Sequence, residues 1–205
     1  MERLIKQVTD SLIKAGLVEV EVSARHVHLT AEDVEVLFGK GAVLHPKRPL
    51  SQKGQFLSEE RVTLVGKKGK MQRVAVLGPV RSATQAELSV SDCVALGVQA
   101  PLRESGDIER SGGILIEGPA GTLQISQGAI VAHNHIHVPT QTAARLGLKD
   151  KERVSVKILS ERPVTFEDVI IRVREDFNFK MHIDFDEANA ASVKGFTLGK
   201  IIKHT

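Results

Sequence analysis

A single cysteine, Cys93, is all the chain has for thiol chemistry. One thiol cannot make an intrachain disulfide and cannot build a Cys-rich zinc finger, which points to a reducing compartment, the cytoplasm. Tryptophan and tyrosine are absent and the only aromatics are seven phenylalanines, so stacking platforms for single-stranded nucleic acid are poorly supplied. An excess of one charge is also missing: 28 Lys and Arg against 25 Asp and Glu leave a net charge of +3. The bases are dispersed among the acids, and no nucleic-acid partner is expected. No apolar run approaches the roughly 20 residues of a membrane span. The first twenty residues lack the uninterrupted apolar stretch of a secretory signal. What remains is 205 residues, 41% hydrophobic and 26% charged, globular proportions for one compact unit or two small ones.

Residues 1–16 form an N-terminal amphipathic helix in this reading, with Leu4, Ile5, Val8, Leu12 and Ile13 on one face and Gly16 as its stop. Strand patterns follow. Val18–Val22 and Val27–Leu29 are short strands, and Thr30 caps a helix that carries Val34, Val36 and Leu37 to Gly39. Arg61–Val65 and Gln72–Leu77 flank a Gly66–Lys70 turn as a hairpin. Further β segments lie at Ile114–Glu117, Thr122–Ile125, Ala129–Ala132, Arg153–Ile158 and Val169–Val173. Strands this short and numerous predict a mainly β protein, barrels or a sandwich, rather than a doubly wound sheet. Gly112-Gly113 is the central punctuation and divides the chain into halves 17–112 and 113–205.

The halves repeat each other. Arg25-His26-Val27-His28-Leu29-Thr30 matches Asn134-His135-Ile136-His137-Val138-Pro139, and a helix follows each. Later, Ala86-Glu87-Leu88-Ser89-Val90-Ser91-Asp92 lies over Met181-His182-Ile183-Asp184-Phe185-Asp186-Glu187, so that Glu87 stands where His182 does. Residues i and i+2 of a strand share a face, so each half aims two imidazoles at one point, and a distant carboxylate or imidazole supplies a third ligand. Three protein ligands with an open position are the pattern of catalytic zinc, whereas structural sites close with four. Without Cys ligands, the set favours Zn, with Fe, Co and Mn as the other candidates. A lone His-x-His is as often a pair of ordinary strand histidines; five of eight histidines falling in two matched sets weigh against that.

His133 lies on the strand phase of His135 and His137, as a ligand, a donor to one, or an ordinary polar residue. His45 and His204 read as solvated, and Cys93 as core rather than nucleophile. Gly78–Glu87 is rich in small residues and carries Arg81 six residues before Glu87; arginine beside a metal set is a natural fork for phosphate or carboxylate. Lys47-Arg48 and Lys67-Lys68 are basic loops.

At these residues the chain resembles a known family, the PduL-type phosphate acyltransferases (phosphate propanoyltransferases, or phosphotransacylases). Ser23–Leu29, Pro49–Phe56, Gly78–Arg81 and His135–His137 are similar to that family's blocks, in order, and the resemblance runs from about Val18 to Ala191. It implies two small β-barrels capped by short α-helices, related by the internal repeat, which exchange their first strands. The implied reaction interconverts acyl-CoA (propanoyl-CoA or acetyl-CoA) plus phosphate with acyl phosphate plus CoA. The resemblance further implies two zinc ions per chain, one held by His26, His28 and Glu87 and the other by His135, His137 and His182. Arg81 matches the arginine that holds phosphate, and Arg48 stands near a position used for CoA phosphates. A homodimer is implied, as is a location in the cytoplasm or in a bacterial microcompartment, where a similar N-terminal helix in relatives directs encapsulation in the shell. The departure is His133-Asn134, where relatives often carry a basic residue directly before the second pair.

Two other classes compete on the residues alone. A two-zinc hydrolase would use the same ligands to activate water, and a non-enzymatic module would bind a structural metal through its histidines. A hydrolase needs neither CoA nor phosphate, and the open coordination positions speak against a purely structural metal.

Overall fold

The computed structural model describes residues 1–204, and the chain separates into two compact units. One comprises Ala24–His133; the other joins Met1–Ser23 to the segment from Asn134 onward. Neither ends at Gly112-Gly113, which is no linker. Both glycines open a strand, and a Cβ on Gly112 would stand 1.9 Å from the Gln99 carbonyl oxygen. Close backbone approach, not chain flexibility, is what glycine provides there.

The discontinuous unit is a closed six-stranded barrel. Helix α1 (Glu2–Lys14) leads into β1 (Leu17–Val22), and β10 (His135–Val138), α4 (Thr140–Leu146), β11 (Arg153–Leu159), β12 (Thr165–Val173), β13 (Lys180–Ile183), α5 (Phe185–Ala190) and β14 (Thr197–Lys203) complete it. The strand order is β1-β13-β10-β12-β11-β14, with β14 pairing back to β1. Val18, Val20, Ile136, Met181, Ile183 and Ile201 lie in its core.

The continuous unit has the same plan. It contains β2 (His26–His28), α2 (Ala31–Phe38), β3 (Pro46–Pro49), β4 (Phe56–Val65), β5 (Lys70–Gly78), β6 (Gln85–Leu88), α3 (Val90–Leu96), β7 (Leu102–Arg103), β8 (Gly112–Glu117) and β9 (Thr122–Ala132). The ring runs β4-β5-β2-β6-β9 and is closed by β8, which pairs with both β9 and β4. Strand β2 runs parallel to β5 and antiparallel to β6, just as β10 runs parallel to β12 and antiparallel to β13. Strand β9 is parallel to β6 as β1 is parallel to β13. In chain order, the strand before each His-x-His strand therefore belongs to the other barrel.

The segments read as Thr122–Ile125 and Ala129–Ala132 are one strand, β9; Gly128 interrupts its pattern at φ +130°. Helix α2 starts as its sequence requires, Thr30 accepting the Asp33 N–H. Val27, Leu29, Leu64, Val76, Leu88 and Cys93 belong to the core of this barrel. Each fully buried Val or Leu contributes about 1.5–3 kcal/mol, enough to specify which face of each strand turns inward. No helix among the described residues is long and apolar enough to cross a membrane.

Candidate metal centres

Inward-facing Val27 puts its neighbours His26 and His28 on the outer face of β2. Strand β6 lies antiparallel beside it with Ala86 and Leu88 in the core and Glu87 directly opposite His26. His26 Nε2 is 3.5 Å and His28 Nε2 3.7 Å from the Glu87 carboxylate, and the two rings meet edge to face at 5.0 Å. All three side chains are buried, and one ligand atom from each lies within 4.8 Å of the others. His26 donates from Nδ1 to the Ala24 carbonyl, 2.8 Å away, which leaves Nε2 facing Glu87.

The second set repeats this register. His135 on β10 stands opposite His182 on β13, with Ile136 and Met181 inward. The rings of His135, His137 and His182 cluster with centroids 4.6, 4.7 and 5.2 Å apart. The two sets differ in tightness: among the described residues, only His26, His28 and Glu87 bring their ligand atoms within 4.8 Å. Phe177 stacks on His137 at 4.0 Å, and the Arg174 guanidinium lies over the Phe177 ring, 4.8 Å from its centroid.

Burial and charge set the protonation of these groups. Burial opposes a charge on His26, but the Glu87 carboxylate outweighs it and holds the imidazole above its ordinary value. Burial likewise opposes ionisation of Glu87, yet His26, His28 and a hydrogen bond from Ser105 hold it well below the usual carboxylate range. Burial, then the charges of His26 and Arg81, push His28 down to about 3. Burial, then His135 and His182, push His137 down to about 2. The second histidine of each pair is thus kept neutral, the form that ligates a metal. The buried Nδ1 atom of His137 has no hydrogen-bond partner among the described residues, and a buried imidazole nitrogen left so is expensive unless a ligand takes it. The first set, two imidazoles and a carboxylate with ligand atoms within 4.8 Å of one another, could hold a divalent cation.

A pH dependence follows. Between the ordinary imidazole value of 6.5 and the folded values of about 3 and about 2, only the unfolded chain protonates His28 and His137. Their contribution is complete above 6.5 and is lost as pH falls toward the folded values. His26 acts in the opposite sense, its contribution fading as pH rises through its raised folded value. With two depressed histidines against one raised, chelator-treated protein should melt at a lower temperature at pH about 5 than at pH about 7.5. Equal or higher stability at the acid end would contradict the burial of neutral imidazoles.

Arg81 is brought to the first set. It lies in the loop between β5 and β6, its N–H bonded to the Leu29 carbonyl and its Nη1 3.2 Å from Ser105 Oγ. Ser105 in turn donates to Glu87 at 2.6 Å, as does Gln85 Nε2 at 2.6 Å, while the Gly106 N–H holds Gln85 Oε1. Gln85 and Ser105 escape the sequence reading. The signal available was Gln85 on the phase of Glu87; nothing in sequence marks Ser105, which arrives on a loop eighteen residues later. Arg48 is not brought in: it stands exposed on β3 beside Leu57, and no described hydrogen bond or ion pair joins it to either set.

His133 is not on the phase of β10. Its N–H bonds to the Arg103 carbonyl beyond the end of β9, in the other compact unit from His135. His45 and His204 are exposed as expected but not merely solvated: His45 Nδ1 is 2.7 Å from Glu60, and His204 Nε2 is 2.7 Å from Ser155 Oγ. Cys93 is core, 8% exposed.

Fold and site together define a duplicated β-barrel protein that presents a histidine-rich candidate metal set on the same strand pair of each barrel. Comparison with known proteins gives the family. The profile of the phosphate propanoyltransferase family matches residues 19–194. The chain is 48% identical to phosphate propanoyltransferase of Leptotrichia buccalis, over 99% of this chain and 98% of that one. It is 44% identical to the Clostridioides difficile protein of that name, over 99% of each, and 47% identical to that of Thermotoga maritima, over 97% and 95%. The chain belongs to the phosphate propanoyltransferase family.

Proposed function

We propose that the chain is a phosphate acyltransferase, interconverting acyl-CoA plus phosphate with acyl phosphate plus CoA, with propanoyl or acetyl as the acyl group. One zinc ion would be held by His26, His28 and Glu87 and a second by His135, His137 and His182. The observation that carries the reading is the duplicated register: the same strand pairing sets His26 against Glu87 and His135 against His182. Metal ions in these sets would supply the positive charge that a phosphate dianion, a developing oxyanion and a departing thiolate all require.

The chain's own residues do the rest. Arg81 offers a planar fork to the phosphate, and its loop is pinned by the bond to Leu29. Gln85 and Ser105 hold Glu87 in one orientation. Direct attack by a phosphate oxygen on the thioester carbonyl, with CoA leaving, needs no protein nucleophile, and the one thiol, Cys93, is buried in the core. Burial of the first set limits access of bulk water, which favours transfer over hydrolysis. Arg48, exposed on β3, would reach a CoA phosphate at the periphery. The test is thioester formation from acyl phosphate and CoA; hydrolysis that consumes neither CoA nor phosphate would establish the hydrolase instead.

We also propose that α1 docks on a partner, a microcompartment shell, and that the enzyme works as a homodimer. The alternative for its apolar face is packing on the protein's own barrel. In the structure no residue of α1 is buried, and Leu4, Ile5 and Val8 are 65%, 59% and 50% exposed. An Arg145–Asp10 ion pair at 3.0 Å ties the helix to α4, an exposed contact worth about 0–1 kcal/mol. Deleting residues 1–15 is therefore expected to leave thermal stability and turnover nearly unchanged while abolishing co-purification with shells. A strongly destabilised deletion would return the helix to the barrel.

A further inference from the structure

The residue directly before each histidine pair makes the same contact in both barrels. Arg25 reaches Asp92, with Nε and Nη2 at 2.9 and 2.7 Å from Oδ1. Asn134 Nδ2 reaches Glu187 Oε1 at 2.6 Å. Both acids occupy the third position of the helix that follows the third-ligand strand, five residues after Glu87 and five after His182. In each, the second carboxylate oxygen has a separate task. Asp92 Oδ2 takes the Ser89 N–H at 3.2 Å, and Glu187 Oε2 takes the Asp184 N–H at 2.9 Å, closing a capping box. One oxygen fixes the helix to the end of the third-ligand strand, and the other fixes the start of the histidine strand to that helix.

We propose that Arg25–Asp92 and Asn134–Glu187 are equivalent clasps that set the slide of the histidine strand against the third-ligand strand, and so the spacing of His26 from Glu87 and of His135 from His182. Arg25, Asp92, Asn134 and Glu187 are positioning residues; none would touch the metal. The ladders are short, with three register pairs in each. Backbone pairing over so few residues leaves the relative position of facing side chains open to small shifts, and a bond at the strand entrance removes them. The chemistry differs between repeats, a guanidinium on a carboxylate in one and an amide on a carboxylate in the other. The geometry is common to both, which is what a positioning role requires. Asp92 is 3% exposed and the Arg25 side chain 38%, so the bond is shielded on the carboxylate side and screened by solvent on the guanidinium side.

This inference rests on the metal reading, and the experiment separates the two. Zinc affinity is measured by chelator competition on the full chain, with cobalt(II) absorption reporting ligand geometry at each set. Arg25→Met and Asn134→Leu remove the donors and keep both capping boxes. Arg25→Met should weaken one zinc ion by about 10- to 100-fold, the usual effect of partners behind a ligand, and leave the other as in wild type; Asn134→Leu should do the converse. Arg25→Asn with Asp92→Glu installs the second repeat's pair in the first and should restore affinity and spectrum. Unchanged affinities and spectra in both single variants, with or without a lower melting temperature of the chelated protein, would overturn the clasp while the metal reading stands. A wild-type chain that binds no divalent ion would overturn the metal reading itself, and the clasp with it.

Discussion

Glu87→Ala is expected to lower bound zinc from about two ions per chain to about one, and His182→Ala is expected to do the same. Each variant keeps two imidazoles in the affected set, and two hold zinc far less tightly than a three-ligand set. Turnover should fall by more than about 100-fold in both, since even partners behind the ligands are worth 10- to 100-fold. The variants should differ in stability. Glu87 is buried, accepts hydrogen bonds from Gln85 and Ser105, and offsets the charge on His26. Its removal takes the carboxylate acceptor from Ser105 and leaves Gln85 only Ser105 Oγ, at 3.1 Å, as a partner, a loss of about 0.5–1.5 kcal/mol for each bond, and releases the raised value of His26. His182 stands among imidazoles, where its charge disfavours protonation of His137. Its loss should relax the depression of His137. Metal analysis with proton titration of the two variants checks both halves; two retained ions and normal turnover in either would remove that residue from its set.

Arg81→Lys should lower kcat/KM for phosphate by about 10- to 100-fold although the charge is kept, because a hydrogen bond to a charged group is worth about 1.5–3 kcal/mol and the bidentate fork is lost. The backbone of the loop should hold, since its anchor is the Arg81 N–H on Leu29. The change should therefore appear in phosphate kinetics and not in metal content or thermal stability. Wild-type phosphate kinetics in this variant would make Arg81 an ordinary surface residue.

What the sequence disclosed is the part of the site that strand periodicity controls. His26 and His28 flank Val27, His135 and His137 flank Ile136, and the alternation alone sets both pairs on outer faces. The third candidate of each set was legible because the repeat places Glu87 over His182, and the register sets each against the first histidine of its pair. What was hidden depends on contacts distant in sequence. Gly112-Gly113 looked like punctuation because glycine marks turns; that the Gln99 carbonyl passes within reach of a Cβ there is a tertiary fact. Gly128 split β9 into two apparent strands because a residue at φ +130° interrupts alternation without ending the pairing. Ser105 reaches Glu87 from a loop with no pattern of its own. Nothing in the sequence distinguishes Phe177 from Phe179 two residues on, and only the folded barrel stacks Phe177 on His137.

Asn134, directly before the second histidine pair, donates its amide N–H to Glu187.

One measurement bears most directly on the proposed reaction: thioester formation from propanoyl phosphate or acetyl phosphate and CoA, followed on the same sample before chelation, after chelation and after zinc is returned, with metal content determined at each stage. The expected result is transfer with about two ions per chain, loss of transfer as they leave, and recovery as they are restored. Full-rate transfer after the metal is gone, or no transfer in either direction by fully loaded protein, would contradict it.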